Sequence, residues 1–338
     1  METFFKLLPF IPLVLFWSKN KLLQWSLMVV LIFIAGYRAI TVGTDNLNYF
    51  LFFNNMQKEL SFDGRFEPFY QLLNFFVVKA GWDYNTVCLF ASILTIVPLY
   101  KAFNRNSAFP FFSWFVYIAF CYYFHSFNIV RQCMAASWLL LAYCYFDGDS
   151  GLFTRKNIKT ILLTLVAVLF HYTAVLAFFV YAVYYIAVRY NKWYFIQIFS
   201  LLIGVFLSGT LFNIALRFLP FYDQFDMRED FIGSLVNLLI LNVAFIVVNN
   251  VIKVKDKWFC LFFCYIIFSN LILQLPFANR PLMYAGIALT IFFPNFIHNN
   301  KLGSRYALLV WVLLVVYSLF RFSRLFGGGD ILPYEHVL

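Results

Sequence analysis

Charged residues are scarce in this chain. They make up 12% of its 338 residues, where a soluble domain carries about 25%. Apolar residues take the vacated share, at 63%, with 23% aromatic. That balance excludes a soluble globular protein, a disordered protein and a nucleic-acid-binding domain. It fits an all-α polytopic membrane protein with nearly every residue in or beside the bilayer. The formal net charge of +10 is therefore read through its distribution over loops, and no nucleic-acid partner is expected.

Other signals are missing too. Six cysteines (Cys88, Cys121, Cys133, Cys144, Cys260, Cys264) form no C-x-x-C pair, and four histidines (His125, His171, His298, His336) are scattered. No metal ligand set follows from such spacing, and buried free thiols are the plain reading. There is no ATP-binding motif, glycine-rich phosphate loop or dinucleotide fingerprint, so no cofactor and no metal are expected. No internal repeat is evident, which weakens an inverted-repeat transporter. The first apolar run carries Lys6 and no small-residue cleavage site, so it is read as a first span rather than a cleaved signal.

A helical span needs about 20 apolar residues. Candidate runs occupy 4–17, 22–37, 86–100, 108–124, 129–146, 158–170, 173–188, 194–210, 232–251, 258–275, 281–297 and 305–320, which predicts about 12 transmembrane helices in a single integral membrane domain, 1–338. Residues 66–80 are apolar but carry Glu67, Pro68, Gln71, Asn74 and Lys79, the pattern of an interfacial or re-entrant helix rather than a span.

Residues 160–188 decide the topology. They contain 29 residues without a formal charge, long for one helix and short for two, with a polar break at His171-Tyr172-Thr173. Read as a hairpin, one set of connections collects 14 basic residues, among them Lys101, Lys159 and Lys253, against three acids, Asp147, Asp149 and Asp256. The other set has ten basic residues and eleven acids. Short, basic, acid-poor loops are the cytoplasmic signature. Both termini then face outward. The longer pieces, 38–85, 211–231 and 321–338, share the outer side, where chemistry is expected.

Polar residues at membrane depth are candidates for function, and here they cluster at the outer ends of the spans. Arg38, Gly43, Asp45 and Tyr49 lie where the second span emerges; a capped helix beneath a snorkelling arginine would account for them structurally. Glu67 precedes Pro68, which suits a helix start. Asn128, Arg131 and Gln132 open the fifth span, where an arginine opposes the helix dipole. Its guanidinium offers five donors in a fixed fork suited to phosphate oxygens. His171 sits at the hairpin apex, and Asn279 and Arg280 precede Pro281. Three arginines and a histidine on one face make a phosphate the natural partner, and on the outer leaflet a lipid-linked phosphate. The 47 phenylalanines and 22 tyrosines are read as compositional bias and interfacial belts rather than sugar platforms.

Three motifs in this order carry a resemblance: Gly43-Thr44-Asp45 with Tyr49 four residues on, Phe127-Asn128-x-x-Arg131-Gln132, and Phe170-His171 after the next inner loop. Together they resemble the EpsG family of Wzy-like bacterial polymerases of exopolysaccharide, capsule and O-antigen. The run Asp226-Met227-Arg228-Glu229-Asp230 has no counterpart in those motifs.

The resemblance implies a fold similar to the metal-independent multi-span glycosyltransferases, with a cavity facing the periplasm. It also implies a multi-pass protein of the bacterial inner membrane. Donor and acceptor would be undecaprenyl-diphosphate-linked glycans, and a chain-length regulator would be a further partner. Arg131, Arg280 and Arg38 would bind the diphosphate. Asp45 and His171 are the candidate bases, with Glu67 a third, and Asn128, Gln132, Tyr49 and Asn279 support them. Direct displacement by the acceptor would invert the anomeric carbon, a covalent glycosyl-enzyme would retain it, and nothing in the residues demands the second. The alternatives are an O-antigen ligase-type transferase and a lipid-linked oligosaccharide flippase or other transporter. A surface-glycan acyltransferase would place histidine and arginine near the first spans, where residues 1–36 have neither.

Overall fold

The computed structural model describes residues 2–60, 62, 64–216, 231–252, 255–273 and 279–299, and beyond them 312, 315–320, 322–323 and 334–335. Most of the 211–231 piece, including 226–230, lies outside the described residues, as does most of the run 305–320. The described residues form helices and connections without a strand. They divide into two compact units, Met1–Val175 with Thr290–Leu338, and Leu176–Leu289.

The first unit begins with two short helices, α1 (Glu2–Leu7) and α2 (Phe10–Val14). Pro9 and Pro12 divide the first apolar run, since proline lacks the N–H that a continuous helix uses. Asn20 then caps α3 (Lys21–Gly36), accepting from the backbone of Leu22 and Leu23. Residues 38–85 fold into α4 (Asn46–Glu59) and α5 (Pro68–Lys79). At 12 residues, α5 is about 18 Å long and too short to cross a bilayer. Asp83 caps α6 (Tyr84–Asn106) through the N–H and hydroxyl of Thr86, at 3.0 and 2.8 Å.

The run 108–124 is not one helix. It breaks between α7 (Pro110–Ala119) and α8 (Tyr122–Asn128) at Cys121, which has φ +61°. A non-glycine residue there is held by its surroundings at a cost of order 1–3 kcal/mol. α9 (Val130–Tyr145) and α10 (Ile158–Phe170) follow, and α16 (Leu289–Asn299) returns to this unit. The centre of the unit is α9, packed between α6 and α10, with α3 on the far side of α6 and α5 against α10. Bulky aromatics fill it, including Trp114, Tyr117, Tyr123 and Tyr143, all buried.

The uncharged stretch does break at His171. α10 ends at Phe170, His171 is extended, a 3₁₀ turn spans Tyr172–Leu176, and α11 (Ala177–Tyr190) begins beyond it.

The second unit holds α11, α12 (Trp193–Leu216), α13 (Phe231–Val251), α14 (Lys257–Leu271) and α15 (Asn279–Gly286). Here α14 is central, contacting α11, α12, α13 and α15. A buried amide cluster ties three of these helices together. Gln197 donates to the Asn242 side chain at 2.9 Å, Asn242 to Asn270 at 2.7 Å, and Asn270 to the Ser200 hydroxyl at 2.8 Å. Interhelical amides of this kind hold apolar helices together where lipid removes the hydrophobic drive.

Among the described residues, four segments are long and apolar enough to cross a membrane: Tyr84–Asn106, Tyr172–Tyr190, Ser234–Val251 and Arg280–Asn299. Shorter apolar helices cover Lys21–Gly36, Pro110–Ala119, Trp193–Leu207 and Lys257–Leu271. The chain is thus an all-helical membrane protein.

Candidate functional site

The first two motifs meet backbone to backbone. Gly43 has φ +101°, and a Cβ there would lie 2.6 Å from both the Phe127 carbonyl and the Asn128 side-chain oxygen. Only glycine meets both conditions. Thr44 donates to the same Asn128 oxygen at 3.5 Å. The break at Cys121 sets α8 so that Phe127 and Asn128 can receive this turn.

Beneath the turn, Arg38 is 2% exposed. Its guanidinium donates to the Ala35 carbonyl and, at 3.4 Å, to Asn46 Oδ1, and it lies 5.6 Å from the Phe127 ring centroid. Asn46 completes the brace. Its amide nitrogen donates to the carbonyls of Ala39 and Ile40, both at 3.2 Å, and its oxygen accepts from the Tyr84 hydroxyl at 2.6 Å. From the other end of the chain, Glu335 accepts from Thr41 at 2.8 Å and from the Ala39 N–H at 2.9 Å. Asn46, Tyr84 and Glu335 carry no motif, so sequence reading missed them.

The third motif joins through Glu67. Pro68 opens α5, but the Glu67 side chain makes no capping bond. One of its oxygens is ion-paired with Arg131, and the other lies 2.5 Å from His171 Nδ1. The backbone N–H of Tyr172 donates to that second oxygen at 3.4 Å. Glu67 is 3% exposed, while the side chains of Arg131 and His171 keep 20% and 22%. The carboxylate is therefore the buried pivot, and the cation and imidazole are its accessible flanks.

Burial opposes ionisation of Glu67, but the His171 hydrogen bond and the Arg131 charge outweigh it and hold the carboxyl below its ordinary value of 4.5. Arg131 also donates to the Arg65 carbonyl at 3.4 Å. It lies against two neighbouring aromatic rings, 4.7 Å from the Phe66 ring centroid and 5.6 Å from that of Tyr49. Burial first, then the charges of Asp45 and Glu67, raise the Tyr49 phenol against the opposing pull of Arg131. Tyr49 thus stays a neutral donor. The Nε atoms of both Arg131 and Arg38 are buried without an acceptor.

Asp45 stands at the N-cap of α4, half-buried, with no side-chain capping bond. Gln132 and Asn128 are buried on either side of the α9 start. Arg280 is exposed in the second unit, at the second position of α15. Asn279 opens that helix, and its side chain is outside the described set. The structure therefore brings together Tyr49, Glu67, Arg131 and His171, three of them from separate sequence motifs.

Sequence reading ranked Glu67 below Asp45 and His171, because a glutamate before a proline looks like a helix start. The missing signal was its partner, since nothing local announces an ion pair across 64 residues.

An all-helical membrane protein with an arginine–carboxylate–imidazole cluster of this kind can hold an anion and move a proton. The chain belongs to the EpsG family, whose sequence profile matches residues 21–336. That is a family of Wzy-like polysaccharide polymerases, so a glycosyltransferase-like polymerising activity is the general expectation for its members. No curated protein and no solved structure matches the chain.

Proposed function

We propose that this protein joins undecaprenyl-diphosphate-linked oligosaccharide repeat units into exopolysaccharide, capsule or O-antigen at the periplasmic face of the bacterial inner membrane. One observation carries the reading: Glu67 holds Arg131 and His171 on its two oxygens.

The cluster divides the chemistry. With Glu67 ionised, its oxygen accepts a hydrogen bond from the Nδ1–H of His171, which leaves the Nε2 lone pair of the neutral imidazole free. The acceptor sugar's hydroxyl gives its proton to Nε2 as its oxygen attacks the anomeric carbon of the donor. The bond from that carbon to the diphosphate oxygen breaks, and the lipid diphosphate leaves with the electron pair. Arg131, fixed by Glu67 and the rings of Phe66 and Tyr49, meets the developing negative charge without reorganising. A single displacement inverts the anomeric centre. Asp45 is a second candidate base in this scheme. Arg38, enclosed by Ala35, Asn46 and Phe127, supports the 38–46 turn, and Asn128 and Gln132 support the start of α9. A chain-length regulator would act on the product, outside these residues.

The test is a strain lacking the gene, complemented with wild type or Arg131→Ala at matched membrane levels, with lipid-linked and surface glycans resolved by gel and mass spectrometry. Single repeat units in place of a ladder are expected from the variant. A single-transfer product would point to a ligase-type transferase. Normal ladders in the deletion strain would overturn the proposal.

A further inference from the structure

At the other end of the same helix packing, α6, α9 and α10 leave a groove of about 450 Å³, within the roughly 300–1,000 Å³ of small-ligand sites. Along α9 it lies between Tyr145 and Trp138, and Tyr145 is about 20 Å from Arg131 by helical rise. Its floor has a chemical cause. Pro98 lacks the N–H that would bond the carbonyl four residues back, at Leu94. The Trp138 indole donates to that carbonyl instead, at 3.1 Å. The indole is thereby pinned across the groove, and Ile93, Val97, Leu162 and Leu163 complete an apolar wall.

The mouth is different. Lys101 and Lys159 line it beside Tyr145. Lys159 Nζ is 5.3 Å from the Tyr145 ring centroid, and the Arg105 guanidinium 4.4 Å. All three cations are exposed, and among the described residues none has an ion-pair partner. Lys156, one turn earlier in the chain, does pair, with Asp147 at 3.6 Å. Apolar wall and unneutralised cations occur together, at the end that the charge distribution assigns to the cytoplasm.

We propose that this groove binds an anionic glycerophospholipid of the cytoplasmic leaflet. Lys101 and Lys159 meet the phosphate and the headgroup charge, and one acyl chain lies along Leu162 and Val97 onto Trp138. Basic pockets between membrane helices on the cytoplasmic side recognise lipid headgroups through this combination. A zwitterionic headgroup brings its own cation to the same lysines and is disfavoured.

Full-length protein, delipidated in detergent, would be titrated with phosphatidylglycerol or phosphatidylcholine and read by native mass spectrometry. Wild type should prefer phosphatidylglycerol by about tenfold or more. The Lys101→Gln, Lys159→Gln double variant should lose that preference, and Lys156→Gln should keep it. The ratio of the two lipids is read within one preparation, so a partly unfolded fraction does not mimic the loss. Equal binding of both lipids by wild type, or an undiminished preference in the double variant, overturns the proposal. So does displacement of phosphatidylglycerol by a prenyl diphosphate at equal concentration, because the groove would then belong to the polymerase substrate.

Discussion

A carboxylate that is 3% exposed is tolerated only with its charge matched, and Glu67 has both oxygens engaged. Removing one partner of a buried pair costs roughly 3–5 kcal/mol, because the other is left uncompensated. Glu67→Gln should therefore lower the thermal midpoint of the detergent-solubilised protein and abolish polymer, since it releases Arg131 and His171 together. Unchanged ladders at normal membrane levels would remove Glu67 from the site. Arg131→Lys keeps the charge and loses the fork. It is expected to lose most activity, and near-normal polymer would exclude the diphosphate role.

The pH dependence follows from the direction of the Glu67 shift. Its folded pKa lies below the ordinary 4.5, so its ionised form stabilises the fold. That contribution is complete above the unfolded value and is lost as pH falls through the folded one. The thermal midpoint of wild type should drop on acidification below about pH 4.5, with a smaller drop in Glu67→Gln, as differential scanning fluorimetry would read it.

Elements matter here for where they break. The turn at Gly43 and the break at Cys121 bring two motifs together that lie 84 residues apart. Gly43→Ala strains a φ of +101° and drives a methyl into the Phe127 carbonyl. A destabilisation of about 1–3 kcal/mol is expected, with loss of polymer that overexpression restores only in part. In the second unit, Asn270 links Gln197, Ser200 and Asn242 within apolar helices. Asn270→Leu should weaken that unit by about 1 kcal/mol, visible as faster proteolysis between α12 and α14. Hydropathy located these helices because each buries or offers to lipid a continuous apolar surface. It did not locate the break at Cys121, whose flanks are as apolar as a span, nor the amides of Gln197 and Asn270, which a composition count averages away.

At the scale of the molecule, the membrane arrangement is open to direct labelling. All six cysteines are free and buried, so an engineered exposed cysteine should report against a low background. A cysteine replacing Lys156 should react with an impermeant maleimide only after the inner face is opened, and one replacing Phe62 should react in intact spheroplasts. The reverse pattern would overturn the topology drawn from the loop charges.

The membrane class, the apolar runs, the interruption at His171 and the residues of the three motifs were legible in the amino-acid sequence. Each depends on composition, on local polarity or on spacing within a few helical turns. The tertiary structure alone decided which charges meet. It set Glu67 between Arg131 and His171, enclosed Arg38 within a buried brace, and closed the 38–41 turn with Glu335 from the far end of the chain. Desolvation and pairing across 64, 104 and 294 residues are properties of packed surfaces, and no local pattern encodes them.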